Sequence, residues 1–207
     1  RGDQQHICAL RIFNPDGSEA EKSGNGLRIF CRYLWDIGLV GEDPFTLETL
    51  GRAVACRVLN GGAAVRVQMG TVSFYSQDIP MTGPPREVLK EEMAFGDKTV
   101  VCCAATVGNP HCVVLDEEVN ARNACQLGPV IETDERFPQR TNVQLLEVID
   151  RNTISVEIWE RGAGYTLASG SSACACAAVA KRIGLCDSDV TVRMPGGQLA
   201  IVVADDF

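Results

Sequence analysis

Ser23-Gly24-Asn25-Gly26 opens a stretch with helical spacing that ends at Ile37-Gly38-Leu39, and Ser169-Gly170-Ser171-Ser172 opens another that ends at Ile183-Gly184-Leu185. From serine to leucine is 16 positions in both, and the copies lie 146 residues apart. Working outward, the flanks agree. Cys8–Phe13 and Thr153–Trp159 read as strands before the two loops, the second by its alternation and β-branched residues. After the helices come two hairpins. The first is Phe45–Thr49, a turn near Gly51, and Ala53–Val58. The second is Val190–Met194, the turn Pro195-Gly196-Gly197, and Gln198–Val203. Each half is therefore strand, Gly-rich loop, helix, hairpin. The spacing predicts helices over Gly26–Ile37 and Ser172–Ile183, with Leu27, Phe30, Leu34 and Ala173, Ala177, Ala180 facing inward. Val65–Phe74, Thr99–Val107, Cys112–Leu115 and Asn142–Ile149 look strand-like. The polar, Pro-rich run from Gly83-Pro84-Pro85 to Gly96-Asp97 is the candidate linker. The expected fold is α+β: two pseudo-symmetric domains, each a mixed or antiparallel sheet wrapped around a central helix. The expected boundaries are 1–84, a linker over 85–98, and 99–207. A duplicated protein of this kind places one cleft between its halves, and such clefts are favoured ligand sites.

The chain has 207 residues, with 19 basic against 27 acidic side chains and a net charge of −8. That excludes the basic face of a general nucleic-acid binder and the polybasic surface of a peripheral membrane protein. No apolar run approaches the ~20 residues that span a bilayer. The chain opens Arg1-Gly2-Asp3-Gln4-Gln5-His6 without a signal peptide or an initiator Met, and residues are expected to be missing at both ends. The ten cysteines do not read as a disulfide scaffold. Cys8, Cys56, Cys102, Cys103 and Cys112 sit in strand-like runs, and Cys31, Cys174 and Cys176 in helix-like ones, where Cys acts as a small buried hydrophobe. With no CxxC pair and two histidines, reduced thiols, no metal and a cytoplasmic location are expected.

Each loop delivers a helix N-terminus, whose unpaired N–H groups and partial positive charge suit a carboxylate or phosphate. Taken alone, either loop reads first as a simple helix cap. The other polar landmarks add weight. Asn14-Pro15-Asp16-Gly17 follows the first strand. Gly108-Asn109-Pro110-His111 breaks two apolar strands. Arg140-Thr141-Asn142 opens a strand, and Glu160-Arg161-Gly162-Ala163-Gly164 ends one. Asn14 and Glu160 each lie nine residues before a loop serine, so they occupy matching places in the two copies. A carboxylate, a guanidinium and three amides at strand ends match the needs of a zwitterionic amino acid. His111, beside Asn109, is balanced between a structural and a catalytic role.

At these residues the sequence resembles the diaminopimelate epimerase family. Asn14–Ala20 with Ser23–Gly26 is similar to its first loop. Gly108–His111, Arg140–Val143 and Glu160–Gly164 are similar to its later motifs in order, and Met194–Gly197 to its closing hairpin. The resemblance runs from about Leu10 to Val203; the family's opening segment, with a further substrate-binding Asn, has no counterpart here. The resemblance implies a cofactor-independent amino-acid epimerase or racemase, in which two cysteines face the α-carbon from opposite sides. One thiolate removes the α-proton, and the other thiol returns one to the opposite face. It further implies that Asn14, Asn109, Asn142, Glu160 and Arg161 bind substrate and that Gly24, Asn25, Gly170 and Ser171 offer loop N–H groups. By the same resemblance His111 and Glu160 support the bases.

Ser23 and Ser169 stand where the family carries its catalytic cysteines. A thiol titrates near pH 8.5 and is lowered at a helix start, whereas a hydroxyl needs an adjacent base. Lys22, Tyr165 and Ser171-Ser172 also depart from the family pattern. This clustering points to a natural serine variant rather than to substitutions made to trap a complex. The expected function is inversion at the α-carbon of an amino acid, diaminopimelate first. The alternatives are a serine variant acting on another amino acid or on another α-proton shift, and a catalytically impaired amino-acid-binding homologue. The expected partner is a small-molecule amino-acid substrate, with no nucleic acid and no membrane; a homodimer is left open. No cofactor is expected, since Lys22, Lys90, Lys98 and Lys181 lack a Schiff-base setting and no dinucleotide-binding GxGxxG follows a strand.

Overall fold

The computed structural model describes residues 7–13, 23–50, 52–116 and 118–206. Two compact units divide between Gly70 and Thr71. In the first, strand β1 (Ala9–Leu10) leads toward helix α1 (Gly24–Asp36), followed by β2 (Phe45–Thr49), β3 (Arg52–Leu59) and β4 (Ala64–Val67). The four strands form one sheet in the order β1-β2-β3-β4. Helix α1 starts at Ser23, whose extended backbone (φ −135°, ψ 111°) and hydroxyl, accepting from the Gly26 N–H at 3.0 Å, make it the N-cap. Leu27, Cys31 and Leu34 recur at the spacing of one helix face and are buried against Leu47, Val54 and Val58 of the sheet; Phe30, expected inside, is only partly buried. The helix stops where Gly38 takes a left-handed conformation (φ 71°) and Leu39 donates back to the Leu34 carbonyl, a closure that glycine makes without Cβ strain.

The second unit holds β5 (Glu91–Phe95), β6 (Lys98–Thr106), β7 (Pro110–Leu115), α2 (Ala121–Glu132), β8 (Asn142–Asp150), β9 (Thr153–Glu160), β10 (Gly164–Thr166), α3 (Gly170–Arg182), β11 (Asp189–Met194) and β12 (Gly197–Val202). Its sheet runs β12-β11-β9-β8-β7-β6-β5, with β10 pairing beside the end of β9. Helix α3 packs against β6, β7, β8, β9, β11 and β12. Its Ala-rich sequence suits that place: Ala173, Ala175, Ala177, Ala178 and Ala180 are all fully buried. A helix that is apolar all round must be enclosed, and methyl side chains let strands approach it closely. Helix α2 covers the other face of the sheet, where Ala124, Leu127 and Ile131 join a separate core with Val114, Val143 and Leu145.

The repeat is visible in the topology. Helices α1 and α3 have 13 residues each and end in the same hydrogen bonds, since Leu185 donates to Ala180 as Leu39 does to Leu34. Strand β1 is parallel to β2 and β9 to β11. Hairpins follow both, closing at Thr49 with Arg52 and at Met194 with Gly197.

Five expectations change. Both helices begin two residues earlier than the spacing suggests, because the serines and not the residues after them are the caps. The division falls at residues 70/71 rather than after residue 84, and 85–98 is not a linker. Phe74, Ile79, Met81 and Val88 are buried in the second unit's cores, and β5 lies within the supposed linker, paired with β6. Gly83-Pro84-Pro85 is a turn inside a packed lobe: Arg86 N–H donates to the Ser76 hydroxyl, and the Arg86 side chain holds Glu91 at 2.7 Å. The Val65–Phe74 strand ends at Val67, with Gly70 at φ 95°. Helix α2 has no counterpart among the predicted elements, and its Gly128-Pro129 pair consists of two poor helix formers. Gly128 is required instead by close packing, since a Cβ there would collide with the Trp159 ring.

Candidate active site

Three neighbouring strands present polar residues at one end of the second unit's sheet. His111 on β7 is in register with Asn142 on the parallel β8. Val143 pairs with Trp159 on β9, which brings Asn142 level with Glu160. Here β7 follows the Gly108-Asn109 break, β8 begins, and β9 ends. The N-terminus of α3 joins this row, because Asn109 Nδ2 reaches the Ser171 hydroxyl at 3.5 Å and Ser171 lies 3.4 Å from the Ser169 hydroxyl. The structure thus brings Asn109, His111, Asn142, Glu160, Arg161, Ser169, Gly170 and Ser171 to one region of this unit.

His111 is wholly buried. Burial pushes its pKa down to about 3; the Gln144 amide beside the ring pulls upward and the Arg161 charge downward. At neutral pH the ring is therefore uncharged. Its Nε2 lies 3.0 Å from Asn109 Oδ1. Nδ1 faces no partner within hydrogen-bond geometry, and Gln144 Oε1 is likewise unmatched. Gln144 donates through Nε2 to the Ser172 hydroxyl at 3.0 Å. Two side-chain paths therefore run between the imidazole region and the first turn of α3, one through Asn109 and Ser171 and one through Gln144 and Ser172. Gln144 and Ser172 were not among the predicted site residues. Their signal in the sequence is faint: Gln144 is a polar residue between the apolar Val143 and Leu145 of β8.

Asn142 does structural work. Its Nδ2 donates to the Pro110 carbonyl at 2.9 Å, and its Oδ1 accepts the Arg161 N–H at 3.0 Å. It ties the start of β7 to the turn after β9. The Arg161 side chain is exposed and donates to the Gln139 carbonyl at 3.2 Å. Glu160 is half-buried at the end of β9.

The two serines differ locally. Ser23 accepts a backbone N–H of its own helix, whereas Ser169, 8% exposed, makes no such capping bond. Its hydroxyl contacts Ser171 instead, and the helix-start N–H groups behind it retain the partial positive charge that suits an anion. In the first unit, Gly24 is buried and Asn25 exposed, with its Oδ1 accepting from Arg28 Nη2 at 2.5 Å. Asn14 and Lys22 lie outside the described residues. A shallow apolar groove lined by Leu10, Ile12, Phe13, Ile29 and Tyr33 flanks α1; it contains none of the predicted polar site residues. The ten cysteines are thiols, seven of them buried. Among the described residues no group of three or more His, Cys, Asp or Glu is placed to hold a metal ion. No helix among them is long and apolar enough to cross a membrane.

Two α+β units on one repeated plan, with a polar row of strand ends at a helix start, define the epimerase and racemase class of fold. A predicted epimerase from Pseudomonas aeruginosa superposes with a TM-score of 0.63 at 17% identity, covering all of this chain and 75% of that one. A probable proline racemase from Agrobacterium radiobacter superposes with a TM-score of 0.67 at 17% identity, covering 96% of this chain and 63% of that one. At such identity the likeness is one of fold. The profile of the diaminopimelate epimerase family matches residues 2–75 and 103–207. Diaminopimelate epimerase 2 of Nostoc sp. is 58% identical over 199 residues, 96% of this chain and 70% of that protein. The diaminopimelate epimerase of Moorella thermoacetica is 41% identical over 201 residues, 96% of this chain and 72% of that protein. The chain belongs to the diaminopimelate epimerase family, and it is an isomerase of that family with an amino acid as substrate.

Proposed function

We propose that the chain inverts the α-carbon of diaminopimelate without a cofactor, in the cytoplasm, with Ser23 and Ser169 in the places of the two bases. The observation that carries this is the equivalence of the two serines. Each is the N-cap of a 13-residue helix in one of two repeated units, so one loop, used twice, supplies both. Inversion requires a proton to leave one face of the α-carbon and another to arrive on the opposite face, and paired copies of one loop are suited to that. The N–H groups at Gly24, Asn25, Gly170 and Ser171 would hold the α-carboxylate and stabilise the charge developing there. Asn14, Asn109, Glu160 and Arg161 would bind the rest of the substrate. Asn142 would act chiefly by fixing Arg161.

A hydroxyl is a weak base at neutral pH, so turnover is slow unless a neighbour activates it. The hydrogen-bond path from His111, uncharged at neutral pH, to Ser169 runs through Asn109 and Ser171. That observation favours a second reading, an amino-acid-binding homologue with impaired catalysis. Solvent-deuterium incorporation at the α-carbon of LL- and meso-diaminopimelate separates the two. The Ser23→Cys/Ser169→Cys protein should exchange the α-proton much faster than wild type, and single changes should help far less, because a two-base pair acts as a unit. A double variant that binds diaminopimelate without exchanging it would establish the binding reading instead. Sedimentation of the purified chain tests the homodimer, the assembly left open by its sequence.

A further inference from the structure

Glu132, the last residue of α2, is 6% exposed. Its Oε2 accepts the indole N–H of Trp159 at 2.7 Å. Its Oε1 accepts the backbone N–H of Gly162 at 2.9 Å, and Arg140 Nη1 lies 3.4 Å away. The Arg140 side chain is 61% exposed, and a long ion pair open to water contributes little. The buried carboxylate is therefore held mainly by two neutral donors. Charge-assisted hydrogen bonds of this kind are short and strong, and leaving either member unmatched is costly.

The positions of those donors matter. Trp159 immediately precedes Glu160-Arg161, and Gly162 immediately follows. One carboxylate thus grips both ends of the dipeptide. The turn between them is otherwise slight: Ala163 N–H donates to the Glu160 carbonyl, Gly162 sits at φ 74°, and Asn142 holds the Arg161 N–H. Helix α2 is braced for this task, since Gly128, one turn before Glu132, lies directly against the Trp159 ring. This helix lies outside the repeated strand–helix–hairpin plan.

We propose that Glu132 is a positioning residue for the Glu160-Arg161 turn, fixing the place from which these two side chains meet the substrate. The inference rests on the reading of Glu160 and Arg161 as substrate-binding residues. Glu132→Gln keeps the shape and one acceptor oxygen but sets an NH₂ group against one of the two N–H donors. Glu132→Ala removes both anchors, and Trp159→Phe removes only the indole donor. Diaminopimelate binding is measured by calorimetry, KM and kcat by α-deuterium exchange, and the Gly162 amide by NMR hydrogen exchange. Because misplacing a substrate-holding group weakens capture, Glu132→Gln should raise Kd and KM about tenfold, change kcat less than about threefold, and lower Gly162 protection. Glu132→Ala should exceed it, and Trp159→Phe should fall between wild type and Glu132→Gln. If Glu132→Ala does not fold, the Gln variant decides. A folded Glu132→Gln protein with wild-type Kd and KM overturns the inference while leaving the functional reading intact. Wild-type protein that neither binds nor exchanges diaminopimelate overturns the functional reading, and this role with it.

Discussion

Acidification from pH 7.5 to 4.5 should destabilise the second unit through His111. The ring is wholly buried and its pKa is lowered from 6.5 to about 3. The folded state therefore holds the neutral imidazole, while the unfolded chain takes up a proton below pH 6.5. In that window the unfolded state binds more protons, so stability falls as pH falls. The contribution is fully present above pH 6.5 and is lost progressively down to about pH 3. Each pH unit in the window is worth about 1.4 kcal/mol, and pH 4.5 lies two units below 6.5, so the loss there is about 3 kcal/mol. Depressed carboxylates such as Asp134, held low by Arg136, also weaken the fold in acid. The decisive quantity is therefore a difference. Urea unfolding followed by tryptophan fluorescence, at both pH values and constant ionic strength, is compared between wild type and His111→Gln. The variant loses the titrating ring but shares every carboxylate, so wild type should lose about 3 kcal/mol more than the variant. Equal acid losses in the two proteins would refute the reasoning, because burial would then not be holding the imidazole neutral.

The two caps should differ in stability although they match in sequence. Ser23→Ala should cost about 1 kcal/mol by calorimetry, since it removes an accepted N–H, whereas Ser169→Ala should cost less than about half of that. Gly128→Ala forces α2 away from the Trp159 ring and should cost at least about 2 kcal/mol in urea unfolding. Under native conditions a thiol reagent should label exposed Cys125 first and the seven buried thiols slowly, and all ten should titrate in denaturant. A shortfall of two would reveal a disulfide.

Much of the fold is legible in the chain because it is local or repeated. Ser23 and Ser169, and Gly38 and Gly184, act through their own backbone within a few residues. Duplication then shows the plan twice, so the strand–helix–hairpin order stands out above ordinary noise. The motif residues Asn109, His111, Asn142, Glu160 and Arg161 are also legible, since polar groups at the ends of apolar strands are out of place unless they meet something.

What tertiary packing alone decided is what those residues are doing. Asn142 lies 32 residues from the carbonyl it grips, and Glu132 lies 27 and 30 residues from its two donors. No local pattern links such partners. The same holds for Gly128, a poor helix former kept in a helix because only hydrogen fits against Trp159. Gly83-Pro84-Pro85 has the composition of a linker, yet it turns inside a unit because Phe74, Ile79 and Val88 are buried there. Periodicity and caps are written by nearest neighbours. The charge state of His111, the two-sided grip on Glu160-Arg161 and the boundary at Gly70 depend on which distant groups exclude water together, and only the assembled sheet and helices settle that.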